Sequence, residues 1–284
     1  MTETYVLVHG AFSNATQWGP VQRELGLLGH RTVAVELPGH GFGSTRTEAY
    51  QAPQDPETLA TAPSAITGVT LADNAAHLIE VLRRAKQHGP VVLVGHSRGG
   101  LTVTAAANAA PELIDRLVYI SAWLPVDRPV SEYLSEPEFE SQRGSFLDTL
   151  VGDPGALGAI RQNFRTANPD HLDEFQDAFL HDGTRHQLLT FLNAFDLDEN
   201  LDVGGADDRA RADTWGTIPR SYIRQLDDRS FLLAAQDRLI AEADALTPDN
   251  PFEVHSLPGS HLGPFVDGTE LARLLSDHCR PGSK

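Results

Sequence analysis

Three stretches of this chain carry residue types at spacings that suit nucleophilic attack on a carbonyl. The first is Val91-Val92-Leu93-Val94-Gly95-His96-Ser97-Arg98-Gly99-Gly100. It reads as a buried strand, then Gly-x-Ser-x-Gly, then an alanine-rich helix. A serine on such a sharp strand-to-helix turn is held in a strained conformation with its hydroxyl exposed. Gly95 and Gly99 lack a Cβ, so the turn can close against its neighbours. The helix N-terminus behind Ser97 offers free N–H groups and a positive dipole end, where an oxyanion would be stabilised. With 24 Gly and 15 Ser in 284 residues, chance supplies only about 0.1 such pattern. Ser97 is therefore read as a nucleophile rather than an incidental turn serine.

A serine hydroxyl is a weak nucleophile and needs a base, which in turn needs an orienting acid. Among 12 histidines, His255 falls inside the last strand and His278 at the end of the last helix. His261 lies in Pro258-Gly259-Ser260-His261-Leu262-Gly263-Pro264, a loop between them, and is the candidate base. The acid is expected after the fifth strand, in Arg224-Gln225-Leu226-Asp227-Asp228-Arg229. Neighbouring loop residues point different ways, so one carboxylate meets His261. Asp228 is favoured, Asp227 is the alternative, and Asp127 after the fourth strand is a more distant candidate.

The loop after the first strand, Val8-His9-Gly10-Ala11-Phe12, should supply a second oxyanion donor. The two donors would be the backbone N–H groups of Ala11 and Arg98. His9 is read as a structural hydrogen-bonding residue and His40 as part of a turn. The Arg98 side chain is read as pairing with a nearby carboxylate, with a polar or acidic part of the substrate as the alternative. Phe12 and Trp123 are candidates for an apolar substrate pocket. For Trp123 and Trp18 core packing is an equal alternative.

The elements that must position these residues alternate. Strand-like runs cover 5–8, 31–35, 91–94, 117–120, 221–224 and 252–255. Helical patterns cover 17–28, 71–88, 98–109, 233–245 and 268–278. That order predicts an α/β fold with a mostly parallel six-stranded sheet flanked by helices. The alternation stops after Leu124. Residues 125–217 contain no good strand run and show helical apolar patterns at Phe146, Leu147 and Leu150, at Phe175, Phe179 and Leu180, and at Leu188 to Leu192. They are expected to form a helical cap inserted into a core made of 1–124 and 218–284. The acidic run 196–213 reads as a solvated linker back to the sheet, and 51–63 as an ordered loop.

Composition narrows the function. Charged residues are 21% and hydrophobic ones 40%, and the net charge is −17, which disfavours nucleic acid and anionic membrane surfaces as partners. One cysteine, Cys279, excludes an internal disulfide and a Cys-based zinc site. The glycine spacing at 95–100 is not a dinucleotide fingerprint, so no metal and no cofactor are expected. No signal peptide or membrane span is read, and a cytoplasmic protein is expected. The oligomeric state is open, a homodimer included.

On these residues the chain resembles the α/β-hydrolase fold family over nearly all its length outside the insertion. The opening YVLVHGAFSNATQWGPVQRELGLLGHRTVAVELPGHG, the elbow GHSRGG, the segment RSYIRQLDDRSFLLAAQDRLI and the closing GSHLGPF look like the plant methyl esterase and hydroxynitrile lyase branch, and like its bacterial esterases. The resemblance implies a catalytic triad of Ser97, Asp228 and His261, with Ala11 and Arg98 as oxyanion donors. There are departures. Arg98 stands where relatives often have an apolar residue or Met. Leu262 stands where the lyases place a lysine beside the histidine, and Ala11 where they often place a threonine. The last two favour ester hydrolysis over cyanohydrin cleavage. The expected function is a serine esterase acting on a hydrophobic small-molecule ester. The alternatives are a lyase, cyclase or acyl transferase on the same scaffold, or a ligand-binding receptor that retains the triad.

Overall fold

The computed structural model describes residues 2–142, 147–280 and 282. Phe146, expected on a helical face of the insertion, lies outside them. The strands are β1 (Thr4–Val8), β2 (Arg31–Val35), β3 (Val91–His96), β4 (Arg116–Ile120), β5 (Ala159–Arg161), β6 (Asp198–Asn200), β7 (Arg220–Gln225) and β8 (Glu253–Leu257). Six of them form one sheet in the order β2-β1-β3-β4-β7-β8, and every pairing in it is parallel. Parallel strands need crossovers, and the crossovers cover both faces of the sheet. The central strands β1, β3 and β4 are accordingly buried at every position. The edge strands β2 and β8 alternate between covered and exposed residues.

The helices are α1 (Gly19–Leu27), α2 (Pro56–Thr61), α3 (Leu71–Lys86), α4 (Gly99–Ala109), α5 (Val130–Tyr133), α6 (Pro154–Leu157), α7 (Pro169–Leu180), α8 (Arg185–Ala194), α9 (Leu233–Leu246) and α10 (Thr269–His278). Successive side chains of a strand point to opposite faces, and two cores follow. Tyr5, Leu7, Val92, Val94, Val118 and Ile120 pack with Val21 and Leu25 of α1 and Leu271 and Leu275 of α10. Val6, Val8, Val91, Leu93, Leu117 and Tyr119 pack with residues of α3, α4 and α9, among them Leu78, Leu82, Val103, Ala107 and Leu239. The start of α3 is fixed by a reciprocal cap between Thr70 and Asp73, and Arg83, Arg84 and Lys86 sit in its last turn, where the dipole favours cations. No described helix is long and apolar enough to cross a membrane.

Residues 125–217 depart from the expectation in one respect. They contain a two-stranded antiparallel sheet, β5 with β6, besides helices. Each strand has three residues, too few for a period-2 pattern to register. The pair is fixed by charge instead: Arg161 holds Asp198 through two bonds of 2.7 and 2.8 Å, and both side chains are buried. Arg161 also donates to the carbonyls of Leu59 and Ala62 at the end of α2. The stretch 51–63, expected as a loop, thus contains that short helix, capped by Asp55.

Helix α4 lies hard against the strand ends. A Cβ on Gly99 would fall 2.5 Å from the His9 carbonyl oxygen, and one on Gly100 would fall 2.0 Å from that of Trp123. Neither backbone can retreat without moving the sheet. Gly100→Ala is expected to cost about 3 kcal/mol, the upper end of overpacking penalties. Gly26→Ala, in the last turn of α1 with nothing near its Cβ, should gain about 0.5–1 kcal/mol from helix propensity. Urea unfolding midpoints of the two variants check this; a shift of the same sign in both would contradict the packing described.

Candidate active site

Among the described residues, three non-glycine residues have a left-handed backbone: Phe12 at φ +56°, Ser97 at φ +52° and Ser121 at φ +38°. They follow β1, β3 and β4, neighbours in the sheet, at their carboxyl ends. Conformations of this kind persist where the surroundings over-determine them. At Ser97 the N–H donates to the Ile120 carbonyl (3.2 Å), and its carbonyl accepts from Gly100 and Trp123 (3.0 Å each). The side chain of Ser97 is left on the wall of a cavity.

His261 lines the same cavity. Its Nδ1 is 2.6 Å from Oδ2 of Asp228, and both side chains are buried. That oxygen also accepts the hydroxyl of Ser121 at 2.5 Å. The other carboxylate oxygen accepts the N–H groups of Ser230 (2.8 Å) and Phe231 (2.7 Å). With every donor aimed at it, the Asp228 carboxylate has one orientation. Its neighbour Asp227 is exposed and accepts the Gly259 N–H instead. Asp127 is exposed as well. Of the three carboxylates weighed from the sequence, Asp228 meets the imidazole.

The loop bearing His261 is held from outside the sheet. Asp182, just beyond α7, accepts both the N–H and the hydroxyl of buried Ser260. The Leu262 N–H donates to the Phe179 carbonyl, and Gln225 donates to the carbonyls of Ser260 and His261. His96, next to Ser97, packs against His261 with ring centroids 4.5 Å apart and the planes tilted by 40°, and bonds Gln17 through Nδ1 at 2.8 Å. Burial, with His261 alongside, holds His96 well below the usual imidazole range, so it stays neutral.

The cavity measures about 350 Å³, within the size range of small-molecule sites. Its lining is mostly apolar: Phe12, Leu150, Ile160, Phe164, Phe179, Phe195 and Leu262 among others. Ala11 and Arg98, expected as backbone donors, are on its wall, and Phe12 is there as expected for a pocket residue. Trp123 is not. It stacks on Phe139 at 5.0 Å and meets Phe231 edge-on inside the core, at 5% exposure. The strand end turns its side chain toward Tyr133 of α5, Phe139 and Phe231 rather than toward the cavity, so the substrate-pocket assignment of Trp123 is corrected to core. Trp18 is likewise buried, against Phe265.

The acidic run 196–213 is a solvated linker only in its later part, where Asp207 and Asp213 are exposed; its start is not. Asp196, Asp198 and Glu199 are all buried. Glu199 is 3.4 Å from Nε of Arg98 and 3.4 Å from Nε2 of His40, and it accepts the Phe12 N–H at 2.8 Å. The Arg98 side chain thus pairs with a carboxylate, the first of its two readings, and donates to the carbonyls of Asn200 and Asp202 as well. Burial alone would raise the Glu199 carboxyl, but Arg98 and His40 hold it far below the usual carboxylate range. For His40 burial opposes protonation, and Glu199 outweighs it, so the imidazole is raised. His9 goes the other way: burial, with His40 4.7 Å away, pushes it down to about 3. Neutral His9 bonds the Gly10 carbonyl through Nδ1 and accepts the Leu37 N–H, the structural role expected of it. Nothing in the local sequence marked Glu199; its partners lie at positions 12, 40 and 98.

A family model described as the alpha/beta hydrolase family matches residues 5–274. Methylesterase 2 of Arabidopsis thaliana is 28% identical over 287 residues, covering 96% of this chain and 93% of that protein. Polyneuridine aldehyde esterase of Rauvolfia serpentina is 24% identical over 280 residues, covering 96% and 94%. Among solved structures, a pyrethroid hydrolase from Sphingobium faniae JZ-2 superposes with a TM-score of 0.69 at 22% identity, covering 98% of this chain and 97% of that one. With a family match running almost end to end and methylesterases among its relatives, the chain belongs to the alpha/beta hydrolase family, in its plant methylesterase-like branch.

Proposed function

We propose that this chain is a serine esterase that cleaves a carboxylic ester of a hydrophobic small molecule through an acyl-enzyme on Ser97. The observation that carries the reading is the shared cavity: Ser97, held at φ +52°, and His261, locked to buried Asp228, open onto one mostly apolar space. The relatives named methylesterase and esterase support ester hydrolysis. The substrate of each belongs to that relative alone.

In this reading His261 Nδ1–H donates to Asp228, which fixes the tautomer and leaves Nε2 as the base. Ser97 Oγ adds to the ester carbonyl, its proton passes to His261, and the carbonyl becomes an oxyanion facing the N–H groups of Ala11 and Arg98. Collapse expels the alcohol, which takes the proton from His261. Water activated by the same imidazole then releases the acid. Asp228 stabilises the imidazolium in both steps. Residues 125–217 serve as a cap: Leu150, Ile160, Phe164, Phe179 and Phe195 supply the apolar wall over the ester. Apolar Leu262 beside His261 offers no cation for a leaving cyanide, which favours hydrolysis over lyase chemistry.

Two experiments test the assignment. Ser97→Ala should lower turnover of p-nitrophenyl esters by about 10⁵-fold or more while leaving the melting temperature near that of the wild type. Hydrolysis at the wild-type rate would sink the nucleophile assignment, and a folded wild type that hydrolyses no ester would move the function to another reaction on this fold. Asp228→Asn should lower kcat by about 10³- to 10⁴-fold, because the amide favours the wrong tautomer. Asp227→Asn, at an exposed carboxylate, should stay within about 3-fold of wild type. Equal losses in the two variants would remove the distinction between them.

A further inference from the structure

The acid that organises the other side of the cavity is Glu199. It has one oxygen on the Phe12 N–H at 2.8 Å, and Phe12 directly follows Ala11 in the loop after β1. The carbonyl of Phe12 accepts the Asp196 N–H at 2.6 Å. Both backbone polar groups of this left-handed residue, its N–H and its carbonyl, are thus held by one short stretch, residues 196–199, from the segment between β4 and β7. The same Glu199 carboxylate meets Arg98, the residue after Ser97, and His40, in the loop after β2. It therefore touches the loops that follow three neighbouring strands, β2, β1 and β3. It is buried, it lines the cavity, and its charge is balanced on the spot by the Arg98 guanidinium, with the His40 imidazole beside it.

We propose that Glu199 is a positioning residue for the oxyanion site: it fixes the left-handed Phe12 and the Arg98 side chain together, so that the N–H groups of Ala11 and Arg98 converge on one point. The inference rests on the esterase reading above. A carboxylate so close to a developing oxyanion would oppose it if unpaired. Pairing with Arg98 and His40 removes that penalty and leaves only the geometric effect. Backbone donors help catalysis only when aimed where the charge appears in the transition state, so a drift of the Phe12 peptide costs kcat rather than substrate binding.

The first test is Glu199→Asp, which retains the charge and withdraws it by one methylene from the Phe12 N–H. We expect kcat for an aryl ester to fall about 10- to 100-fold with KM within about 3-fold, the size of effect that orienting partners have on a site. An aryl trifluoromethyl ketone, whose carbonyl adds Ser97 Oγ and becomes an oxyanion, should lose affinity by the same factor. The amide analogue of the substrate, which keeps a neutral carbonyl, should bind unchanged. A kcat within about 2-fold of wild type, or equal losses for both analogues, would overturn the role. Glu199→Gln, which turns a donor toward Arg98, should show the same split. If neither variant folds, wild-type hydrogen exchange decides: the Phe12 amide should exchange as slowly as those of β1, and exchange at the rate of an open loop overturns the clamp. Absence of ester hydrolysis in the wild type would instead count against the esterase reading, not against this one, because the exchange measurement does not depend on turnover.

Discussion

Strain at the carboxyl ends of three adjacent strands is the constraint on which the site depends. Phe12, Ser97 and Ser121 each adopt a left-handed backbone without being glycine, at a cost of about 1–3 kcal/mol apiece. Each is held by partners from elsewhere in the chain. Ser97 is pinned by carbonyl and N–H contacts to the β4 end and to α4. Ser121 donates its N–H to Ile223 and its hydroxyl to Asp228. Phe12 is held by Asp196 and Glu199. Removing those partners would let the three turns relax; Phe12 and Ser97 would no longer face one cavity, nor Ser121 the Asp228 carboxylate. A parallel sheet makes this possible, because it delivers all its strand ends to one edge, where loops from distant parts of the chain meet.

In the proposed mechanism the site has an acid–base side and an oxyanion side, and the two are stabilised by different chemistry. On the acid–base side, Asp228 collects the imidazole, a hydroxyl and two backbone N–H groups, so a buried carboxylate is fully satisfied without a cationic partner fixed beside it. On the oxyanion side, Glu199 is satisfied by one backbone N–H, the Arg98 guanidinium and the His40 imidazole. The contrast suits their tasks. A carboxylate that must stabilise a transient imidazolium cannot already be neutralised by a permanent cation. One that only holds a loop next to a developing anion needs a cation of its own, and Arg98 supplies it.

Where the determinants were local, they were legible in the sequence. The β1, β3 and β4 runs are continuous and apolar, and each strand begins and ends within about two residues of the expected position. The elbow at Ser97 needs a strand, two glycines and a helix in immediate succession, so its position follows from a short window. The place after β8 points to His261, and the place after β7 narrows the acid to Asp227 or Asp228, of which Asp228 is favoured. Trp123 could not be placed this way. Its strand was right, but which way a side chain turns past the strand end depends on Tyr133, Phe139 and Phe231, none of which lies in its window. The acidic run from 196 failed for a related reason. Charge in a sequence reads as solvated unless its counter-ions are visible, and here Arg161, Arg98 and His40 arrive from other elements. The strand β6 that carries the buried acids has three residues, so no periodicity announced it.

Those buried acids also answer why residues 125–217 sit in one register on the core. Phe164, Phe175, Leu188, Leu192 and Phe195 join the core cluster beneath α1 and α10. Apolar contacts of this kind supply burial but tolerate small sliding and repacking. A bidentate Arg161–Asp198 pair, Asp196 on the Gly41 N–H at 2.8 Å and Glu199 on the Phe12 N–H do not, because each demands direction as well as distance. A slip that separated any of these partners would leave an uncompensated charge in the interior, at about 3–5 kcal/mol. Packing therefore holds the segment down, and the carboxylates decide where. Because two of those carboxylates end on Phe12 and on the residues around it, the same contacts that seat the segment also set the loop facing Ser97, and neither can be rearranged alone.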